Sequence, residues 1–546
     1  MLISCSSLVT ALRSQTRFVL SCAVLLGYEL GISAAEDAQL QATHYWRYHA
    51  PSGACEIAAY SAETGRLFVT VGSGVDVVSV RNGMRLDEIS IPAGFHATSV
   101  ACSEEVVAVA WAADDKTRRG KINFYDAEKL NEIAGYPAGF LPDMIVFTPN
   151  GKTLLAANEA EPDLHYTFDP EASISIITKS GGWANAKVRE ATFKDFNPER
   201  TRLIADGVRI FGPNKKDPEG IATVAKDVEP EYIAVRGDSR VAWVTLQENN
   251  AIAELDIDTG KVTAIYPLGL KSFRSLGSLS VAQLVSLSTT TGLDVSDQDG
   301  GVRIRHWPIW GMYQPDGIAT FQEHGNDYLV TANEGDPRDY WDYHEAIPVG
   351  ELAAAGIELD SANPARGLTG VDQLGRLEVS RFAGDTDGDG DLDRLVIPGT
   401  RSFSIWQRTP SGLMQVFDSG SEFEQIIARL APELFNIDSN LESGPDVRSV
   451  IRGAEPENIV VFELERRRLA AIGLERTGGV MLYDISSPIT PSFLYYISPK
   501  AGDTRDLAPE GLLFISADRN PSGQPLLVLC NEGSGTMTAY EVSLSQ

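Results

Sequence analysis

Five pairs of Pro and an acidic residue recur along the chain, and each precedes an apolar run that ends in a second acid. The first acids are Asp143, Glu231, Asp316, Glu457 and Glu510, and the second acids are Glu159, Glu248, Glu334, Glu475 and Glu532. The spacing of 16 to 22 residues suits two antiparallel strands joined by a hairpin. Converging carboxylates repel one another and raise one another's pKa unless a cation or an arginine compensates. The repeated acids therefore predict a site for a metal or a basic ligand.

Three arginines, Arg338, Arg401 and Arg476, follow closely on equivalent strand ends. Their guanidinium groups can neutralise carboxylates or receive an anionic phosphate or sulfate group. For any one acid the alternative is a purely structural role, in which the carboxylate accepts hydrogen bonds from backbone amides of a neighbouring strand. For the acids as a set, the sequence favours cation binding.

A second group of acids occupies the single short segment 385–393, with the sequence DTDGDGDLD. Oxygen ligands at alternate positions, with glycine allowing a sharp turn, are what Ca²⁺ requires of one loop. The predicted ligands are Asp385, Asp387, Asp389, Asp391 and Asp393. The twelfth position is Val396 instead of the Glu of an EF-hand, so we expect a Ca²⁺ loop in a β context. A solvated acidic turn is the alternative.

The elements that must position these acids are strands. Short β-rich runs bounded by Gly, Pro, Asn and Asp recur along the whole chain, whereas helical periodicity is scarce. Each acid repeat continues into a further strand and a turn, and weaker units at 55–80, 97–125 and 393–406 bring the count to about eight. We predict an all-β fold, a β-propeller of seven or eight four-stranded blades with loop insertions and an acidic central channel.

Residues 36–546 are expected to form one such domain. Residues 44–49 are predicted to add a strand to the last blade and close the ring. Two insertions, at about 272–313 and 339–374, are long enough to cover a face or carry function. In the second insertion, residues 351–356 predict a short helical turn that ends at Gly356.

Residues 1–35 have the pattern of a secretory signal peptide, with arginines ahead of an apolar run and Ser33-Ala34-Ala35 as the cleavage site. We therefore expect a secreted, periplasmic or cell-surface protein. No later run reaches the ~20 apolar residues of a transmembrane helix. The cysteines after residue 35 are Cys55, Cys102 and Cys530. An odd number of cysteines does not indicate a disulfide framework, although a bridge between Cys55 and Cys102 is possible.

The composition narrows the classes of function. The formal net charge of −29 argues against nucleic-acid binding and favours cations, Ca²⁺ first among them. The seven histidines are scattered without the spacing of a zinc site. Neither a nucleotide nor a haem cofactor is expected.

Several segments together carry a family resemblance. They are GFLPDM at 139–144, AANEAEP at 156–162, TANEGD at 331–336, the acidic loop with PGTRSFSIW at 398–406, GLER at 473–476, GGV at 478–480, PEGL at 509–512 and NEGSGT at 531–536. The chain resembles the choice-of-anchor I family over nearly its whole mature length. The resemblance implies an exported β-propeller attached to bacterial cell surfaces, and members are often labelled alkaline-phosphatase-like or surface-glycoprotein-like.

Two functions follow as hypotheses for an exported Ca²⁺-binding propeller. In the first it is a metal-dependent phosphoric ester hydrolase, which binds a small anionic ligand or phosphoester through the metal. Glu334 and Glu475 would then hold the metal, and Arg338 or Arg476 would stabilise developing charge. In the second it is a non-catalytic surface or adhesion module whose rim binds a protein or a glycan. The fold alone does not decide between them.

Overall fold

The computed structural model describes residues 39–103, 105–213, 220–274, 291–341, 343–440, 442–499 and 506–545. Residues 40–543 form one compact unit, and the other described residues belong to a second unit. The predicted signal peptide at 1–35 lies outside the described residues. Among the helices of the described ranges, none has the length and apolar character that crossing a membrane requires.

The first half of the chain forms four four-stranded sheets. Strands β1 to β9 are Gln39–His49, Ala58–Ser61, Arg66–Val71, Gly74–Ser79, Arg85–Ser90, Phe95–Ser103, Val106–Ala113, Lys121–Asp126 and Glu132–Pro137; β10 to β17 are Pro142–Phe147, Thr153–Asn158, Ser173–Thr178, Lys187–Thr192, Pro230–Val235, Val241–Leu246, Ala251–Asp256 and Lys261–Pro267. The sheets are β2–β5, β6–β9, β10–β13 and β14–β17, and within each sheet every strand pairs antiparallel with the next.

The second half contributes three more four-stranded sheets. Strands β18 to β26 are Leu270–Ser272, Ile309–Met312, Ile318–Glu323, Asn326–Asn333, Asp339–Tyr340, Tyr343–His344, Ala346–Pro348, Glu378–Ser380 and Leu395–Ile397; β27 to β35 are Ser402–Thr409, Gly412–Asp418, Pro456–Leu464, Arg467–Leu474, Val480–Asp484, Ser492–Ile497, Pro509–Ile515, Leu526–Asn531 and Thr536–Ser545. The fifth sheet is β20-β21-β27-β28, and the sixth is β29–β32. The seventh places β1 beside β35, next to β34 and β33, which confirms the strand predicted at 44–49.

Helices are few and short in the described residues. They are α1 at Arg200–Asp206, α2 at Val224–Asp227 and α3 at Glu422–Leu430, with 3₁₀ turns at Trp183–Asn185, Lys194–Glu199, Val349–Glu351, Ala353–Ala355 and Pro432–Leu434. The helical turn predicted at 351–356 is present as two of these 3₁₀ turns, and Gly356 ends the second with a φ of 77°. The positive φ explains the glycine, because other residues pay a steric cost there.

Burial follows the order of strands within a sheet. The second strands β7 and β11 are almost wholly buried, whereas the fourth strands β5 and β13 are exposed along most of their length. The second strands are accordingly apolar runs, because neighbouring sheets cover both of their faces. The charged fourth strands lie at sheet edges, where charge discourages pairing with other chains. The polar residues of a site are therefore expected on the first strands of the sheets.

The seven sheets contact one another in cyclic order. The first strands β2, β6, β10, β14, β20, β29 and β33 each contact the first strand of the next sheet, and β33 contacts β2. Neighbouring sheets also share apolar cores, as Leu155 of β11 does with Val244 of β15 and Val330 of β21 with Ile472 of β30. The cores lie between sheets, and the first strands lie together.

The two insertions interrupt the repeat near the fifth sheet. One joins β17 to β20, and the other separates β21 from its partner β27. Residues 275–290 of the first lie outside the described residues. The second extends to residue 401, beyond the predicted boundary at 374. The prediction of a separate repeat unit at 393–406 is therefore wrong. Strand β26 pairs with β19 in a three-stranded sheet that also contains β18, while β27 belongs to the fifth four-stranded sheet.

The three cysteines among the described residues are free thiols. Cys55 and Cys530 are buried in one apolar core, and Cys102 packs against a different one. The bridge between Cys55 and Cys102 that the sequence left open is not formed.

Arg401 holds the insertions against the fifth sheet. It is 1% exposed, and its guanidinium lies 2.8 Å from Glu424 Oε1 of α3. The same group donates to the backbone carbonyls of Asp294, Ser449 and Ile451 at 2.8 to 2.9 Å. The Arg401 side chain thereby connects residues of both insertions to the segment that precedes β29.

We expect Arg401→Ala to destabilise the protein by about 3 to 5 kcal/mol, because it leaves the buried Glu424 carboxylate without its partner. Urea unfolding of the purified chain measures the change. The matched control is Arg240→Ala, since Arg240 and Asp258 form an exposed pair at 3.8 Å that should contribute less than ~1 kcal/mol. Equal effects of the two substitutions would contradict the role assigned to Arg401.

Candidate functional site

The repeated acids occupy equivalent places in their sheets. Four of the five prolines before them begin strands β10, β14, β29 and β33, and the strand pairing shifts register directly after each of these four. Pro315 lies before β20, whose pairing with β21 is regular. Proline cannot donate to the ladder, and a bulge turns the residue it contains away from the regular alternation. The second acids follow the ends of the second strands, as Glu159 follows β11 and Glu475 follows β30. Both acids of a repeat thus come to one end of a hairpin.

Eight of the ten repeated acids line one cavity of about 670 Å³. They are Asp143, Glu159, Glu231, Glu248, Asp316, Glu334, Glu457 and Glu510. Glu532 lines a second cavity of about 270 Å³. Glu475 stands beside the first cavity, where its carboxylate approaches that of Glu334.

Tyr232 stands between the two cavities. It lines both of them, together with Asp143 and Glu510. Its hydroxyl oxygen accepts a hydrogen bond of 2.6 Å from Asn458 Nδ2. Tyr232 belongs to the fourth sheet and Asn458 to the sixth, so this bond joins two sheets that are not neighbours.

Burial and mutual repulsion raise the pKa of these acids. Burial is the larger cause, and neighbouring carboxylates add to it. The pKa of Asp143 is raised to about 6, and those of Asp316 and Glu475 to about 7. The pKa values of six further members are raised well above the ordinary value for Glu, namely those of Glu159, Glu231, Glu248, Glu334, Glu457 and Glu510. Ionising the cavity in full is therefore unfavourable without a cation.

Two carboxylate oxygens of the cavity lack partners. Among the described residues, Glu248 Oε2 and Glu457 Oε2 have no hydrogen-bond partner. Their side chains are only 5% and 8% exposed. A buried oxygen without a donor is costly, so both positions are suited to a bound cation.

The three candidate arginines are already engaged by acids of the protein. Arg338 lines the cavity wall and lies 2.9 Å from Asp227 Oδ1 and 3.3 Å from Glu229 Oε2. Arg476 lies 3.0 Å from both Glu455 and Glu475. Arg401 pairs with Glu424 and does not line the cavity. Of the two roles that the sequence left open for these arginines, the structure favours neutralisation of carboxylates.

Several site residues escaped the sequence analysis. Glu56, Glu161, Asp336 and Glu378 line the cavities, and Glu455 lies beside them. A signal was present for three of them, because Glu161, Asp336 and Glu455 each stand two residues from a predicted acid. Gly335, between Glu334 and Asp336, has a φ of 92°, and a Cβ there would lie 2.2 Å from the Gly399 nitrogen.

Glu334, Glu455 and Glu475 form a buried group that could hold a metal ion. One oxygen from each lies within 4.8 Å of the others. Burial alone would raise the pKa of Glu455, but the guanidinium groups of Arg452, Arg448 and Arg476 hold it below its ordinary value. This side of the cavity is thus partly neutralised by arginine.

The acidic loop brings together three of its five predicted ligands. Oxygens of Asp385, Asp387 and Asp393 lie within 4.8 Å of one another. Backbone N–H groups of Gly388 and Gly390 donate to Asp385 at 2.7 and 3.1 Å. Asp389 is exposed and accepts the N–H of Asp391 at 3.1 Å, and neither is part of the converging group.

Comparison with known proteins gives relatives for part of the chain. Gigasin-3a of Magallana gigas is 30% identical over 186 residues, which are 31% of this chain and 64% of that protein. The mesenchyme-specific cell surface glycoprotein of Strongylocentrotus purpuratus is 25% identical over 332 residues, 55% of this chain and 40% of that protein. The chain thus spans less than two thirds of the length of these curated relatives.

A comparison of folds matches a chain in the crystal structure of a mitotic checkpoint complex, at 9% identity and a TM-score of 0.45, over 95% of this chain and 99% of that one. The family model of the choice-of-anchor I domain matches residues 56–488. That match covers well over half of the sequence and includes eight of the ten repeated acids, all except Glu510 and Glu532. The chain therefore belongs to the choice-of-anchor I domain family.

Proposed function

We propose that the seven four-stranded sheets are the blades of a β-propeller and that the cavity is part of its central channel. The cyclic contacts of the first strands support this arrangement. The pairing of β1 with β35 supports it further, because a ring closed by both chain ends leaves no open gap between the first and last sheets. The hydrogen bond from Asn458 to Tyr232 fits a channel that first strands of distant blades share.

The function that the site supports best is cation binding, with Ca²⁺ as the cation. The observation that carries it is the composition of the cavity wall, which has twelve Asp and Glu residues against two Arg residues. Ca²⁺ takes six to eight oxygen ligands in flexible geometry, which a wall of carboxylates can supply. The unpartnered oxygens of Glu248 and Glu457 would gain a partner from such an ion.

The acidic loop is the second proposed Ca²⁺ site. Asp385, Asp387 and Asp393 would supply its first oxygens. The loop lies in the second insertion, away from any helix pair of the EF-hand kind in the described ranges. Binding there would neutralise charges that repel one another at the surface.

We place this domain outside the cell, at the cell surface. The predicted signal peptide supports export, and the sea-urchin relative is itself named a cell surface glycoprotein. A non-catalytic binding role is favoured over phosphoester hydrolysis by one observation. Arg338 and Arg476, which would have to stabilise a phosphoryl group, are bound to carboxylates of the protein.

Replacement of Glu334 and Glu475 by Gln should abolish Ca²⁺ binding at the group of Glu334, Glu455 and Glu475, because it removes two of these three converging carboxylates. Isothermal titration of the purified chain with Ca²⁺ measures the loss. The charge-matched control replaces the exposed Glu63 and Glu465 by Gln and should bind as the unchanged protein does. Turnover of 4-nitrophenyl phosphate that needs Ca²⁺ and disappears in the first variant would instead establish the phosphoesterase hypothesis.

For the acidic loop, we expect Asp385→Asn with Asp393→Asn to bind one Ca²⁺ ion fewer, since both residues belong to the converging group. Asp391→Asn should keep the full stoichiometry. The same titration measures both. If the double variant keeps every ion, the loop is a solvated acidic turn.

Stability should fall as pH rises in the Ca²⁺-free protein. The raised pKa of Glu475, about 7, means that the folded state binds more protons than the unfolded chain between about pH 4.5 and 7. Each unit of raised pKa costs about 1.4 kcal/mol once the group is ionised. We therefore expect a lower Tm in chelator at pH 8 than at pH 5.

Added Ca²⁺ should reduce that difference, because the ion stabilises the ionised carboxylates. The variant with Gln at 334 and 475 should show a weaker pH dependence than the unchanged protein. A Tm in chelator that is constant or higher at pH 8 would contradict the assignment of strained carboxylates to the cavity.

A further inference from the structure

A row of aromatic rings leads from the cavity wall towards the surface. Tyr340 lines the cavity, and its ring centroid lies 5.0 Å from that of Tyr166. Tyr166 lies 5.8 Å from Tyr343, which stacks on Phe382 at 4.8 Å with 8° between the planes. Phe382 is 44% exposed, so the row ends in solvent.

Trp341 extends this surface. Its indole is 69% exposed and lies 5.7 Å from the ring of His165. The backbone N–H of Trp341 donates to the carbonyl of Leu164 at 3.0 Å, and Leu164 is 58% exposed. We call Trp341, Tyr343 and Phe382 the aromatic rim. Large apolar side chains gathered in solvent mark binding surfaces, and Trp and Tyr are enriched where binding energy concentrates.

One hairpin carries both the rim and part of the cavity wall. Strands β22 and β23 pair Asp339 with His344 and Tyr340 with Tyr343. Asp339, Tyr340 and His344 line the cavity, while Trp341 is exposed beside them. A ligand on the rim is therefore within reach of the cavity's carboxylates.

The cavity is also larger than one ion requires. A volume of about 670 Å³ falls in the ~300 to 1,000 Å³ range of small-molecule sites. An ammonium or guanidinium group on a flexible side chain supplies both positive charge and hydrogen-bond donors to carboxylates. The faces of Trp and Tyr rings attract the same cations.

We propose that the aromatic rim and the cavity together bind a basic polypeptide segment of a partner protein. Its Lys or Arg side chains lie on the faces of Trp341 and Phe382, and one of them enters the cavity to reach Glu248 and Glu457. Charge complementarity selects this partner, because the chain carries a net charge of −29 and a neutral glycan would leave the carboxylates uncompensated. The inference rests on the proposed function in that it takes the cavity to be a cation site.

The test measures binding of fluorescein-labelled hexalysine to the full chain by fluorescence anisotropy in 150 mM salt and chelator. Trp341→Ala with Phe382→Ala should raise the Kd at least ten-fold. The matched control is Met84→Ala with Ile489→Ala, two side chains that are 62% and 63% exposed elsewhere, and its Kd should not change. All these variants keep the net charge, so non-specific attraction alone would not distinguish them.

A second pair of variants separates the rim from the cavity. Glu248→Gln with Glu457→Gln should also weaken hexalysine binding at least ten-fold, whereas the control with Gln at 63 and 465 should not. Ca²⁺ should compete with the peptide in the unchanged protein. The single variant Trp341→Ala, at a highly exposed position, repeats the rim test with little risk to folding.

Equal affinity of the rim variant and the unchanged protein would overturn this inference. So would rim-dependent binding of cellohexaose without binding of hexalysine, which would make the rim a glycan surface. In either case intact Ca²⁺ binding in the cavity would leave the proposed function standing. If Gln at 248 and 457 leaves hexalysine binding unchanged, the inference fails. If neither that pair nor Gln at 334 and 475 changes Ca²⁺ binding, the cavity is not a cation site, and both proposals fail.

Discussion

Repulsion among buried carboxylates is the main energetic constraint on this fold. The cavity wall has twelve acidic residues and two arginines, and burial keeps water from screening their charges. Near Glu455, ion pairs with Arg448, Arg452 and Arg476 compensate the negative charge. Near Glu248 and Glu457 it leaves oxygens without a partner. Protonation or a bound cation has to compensate the negative charge there. The stability of the site therefore depends on both pH and bound ligand.

The apolar cores between the sheets make such a site tolerable. Each pair of neighbouring sheets buries its second strands on both faces, which supplies the favourable free energy of folding. In four of the hairpins, the register shift after the proline then turns one acid away from that core. Stability and function are thus separated along each hairpin, with apolar residues in its body and acids at one end.

The insertions give the cavity a wall and a rim that the repeats alone would lack. Arg338 and Arg401 fix this region by pairing with buried carboxylates on other segments. The arginines that the sequence made candidates for binding an anionic substrate are therefore paired with carboxylates of the protein itself. This favours cation binding over anion binding as the function of the site. The same region supplies Trp341 and Phe382, so that an apolar surface adjoins an acidic one.

The sequence was enough to predict the all-β character, the hairpin repeat, the closing strand and the ten repeated acids, because period-two patterning and turn residues are local signals. It did not determine which units become sheets, since the pairing of β21 with β27 joins residues that the second insertion separates. Nor did it predict the partners of Arg338, Arg401 and Glu455, which come from distant segments. These points follow from tertiary contacts, because charge pairing and burial depend on distances that the order of residues does not specify.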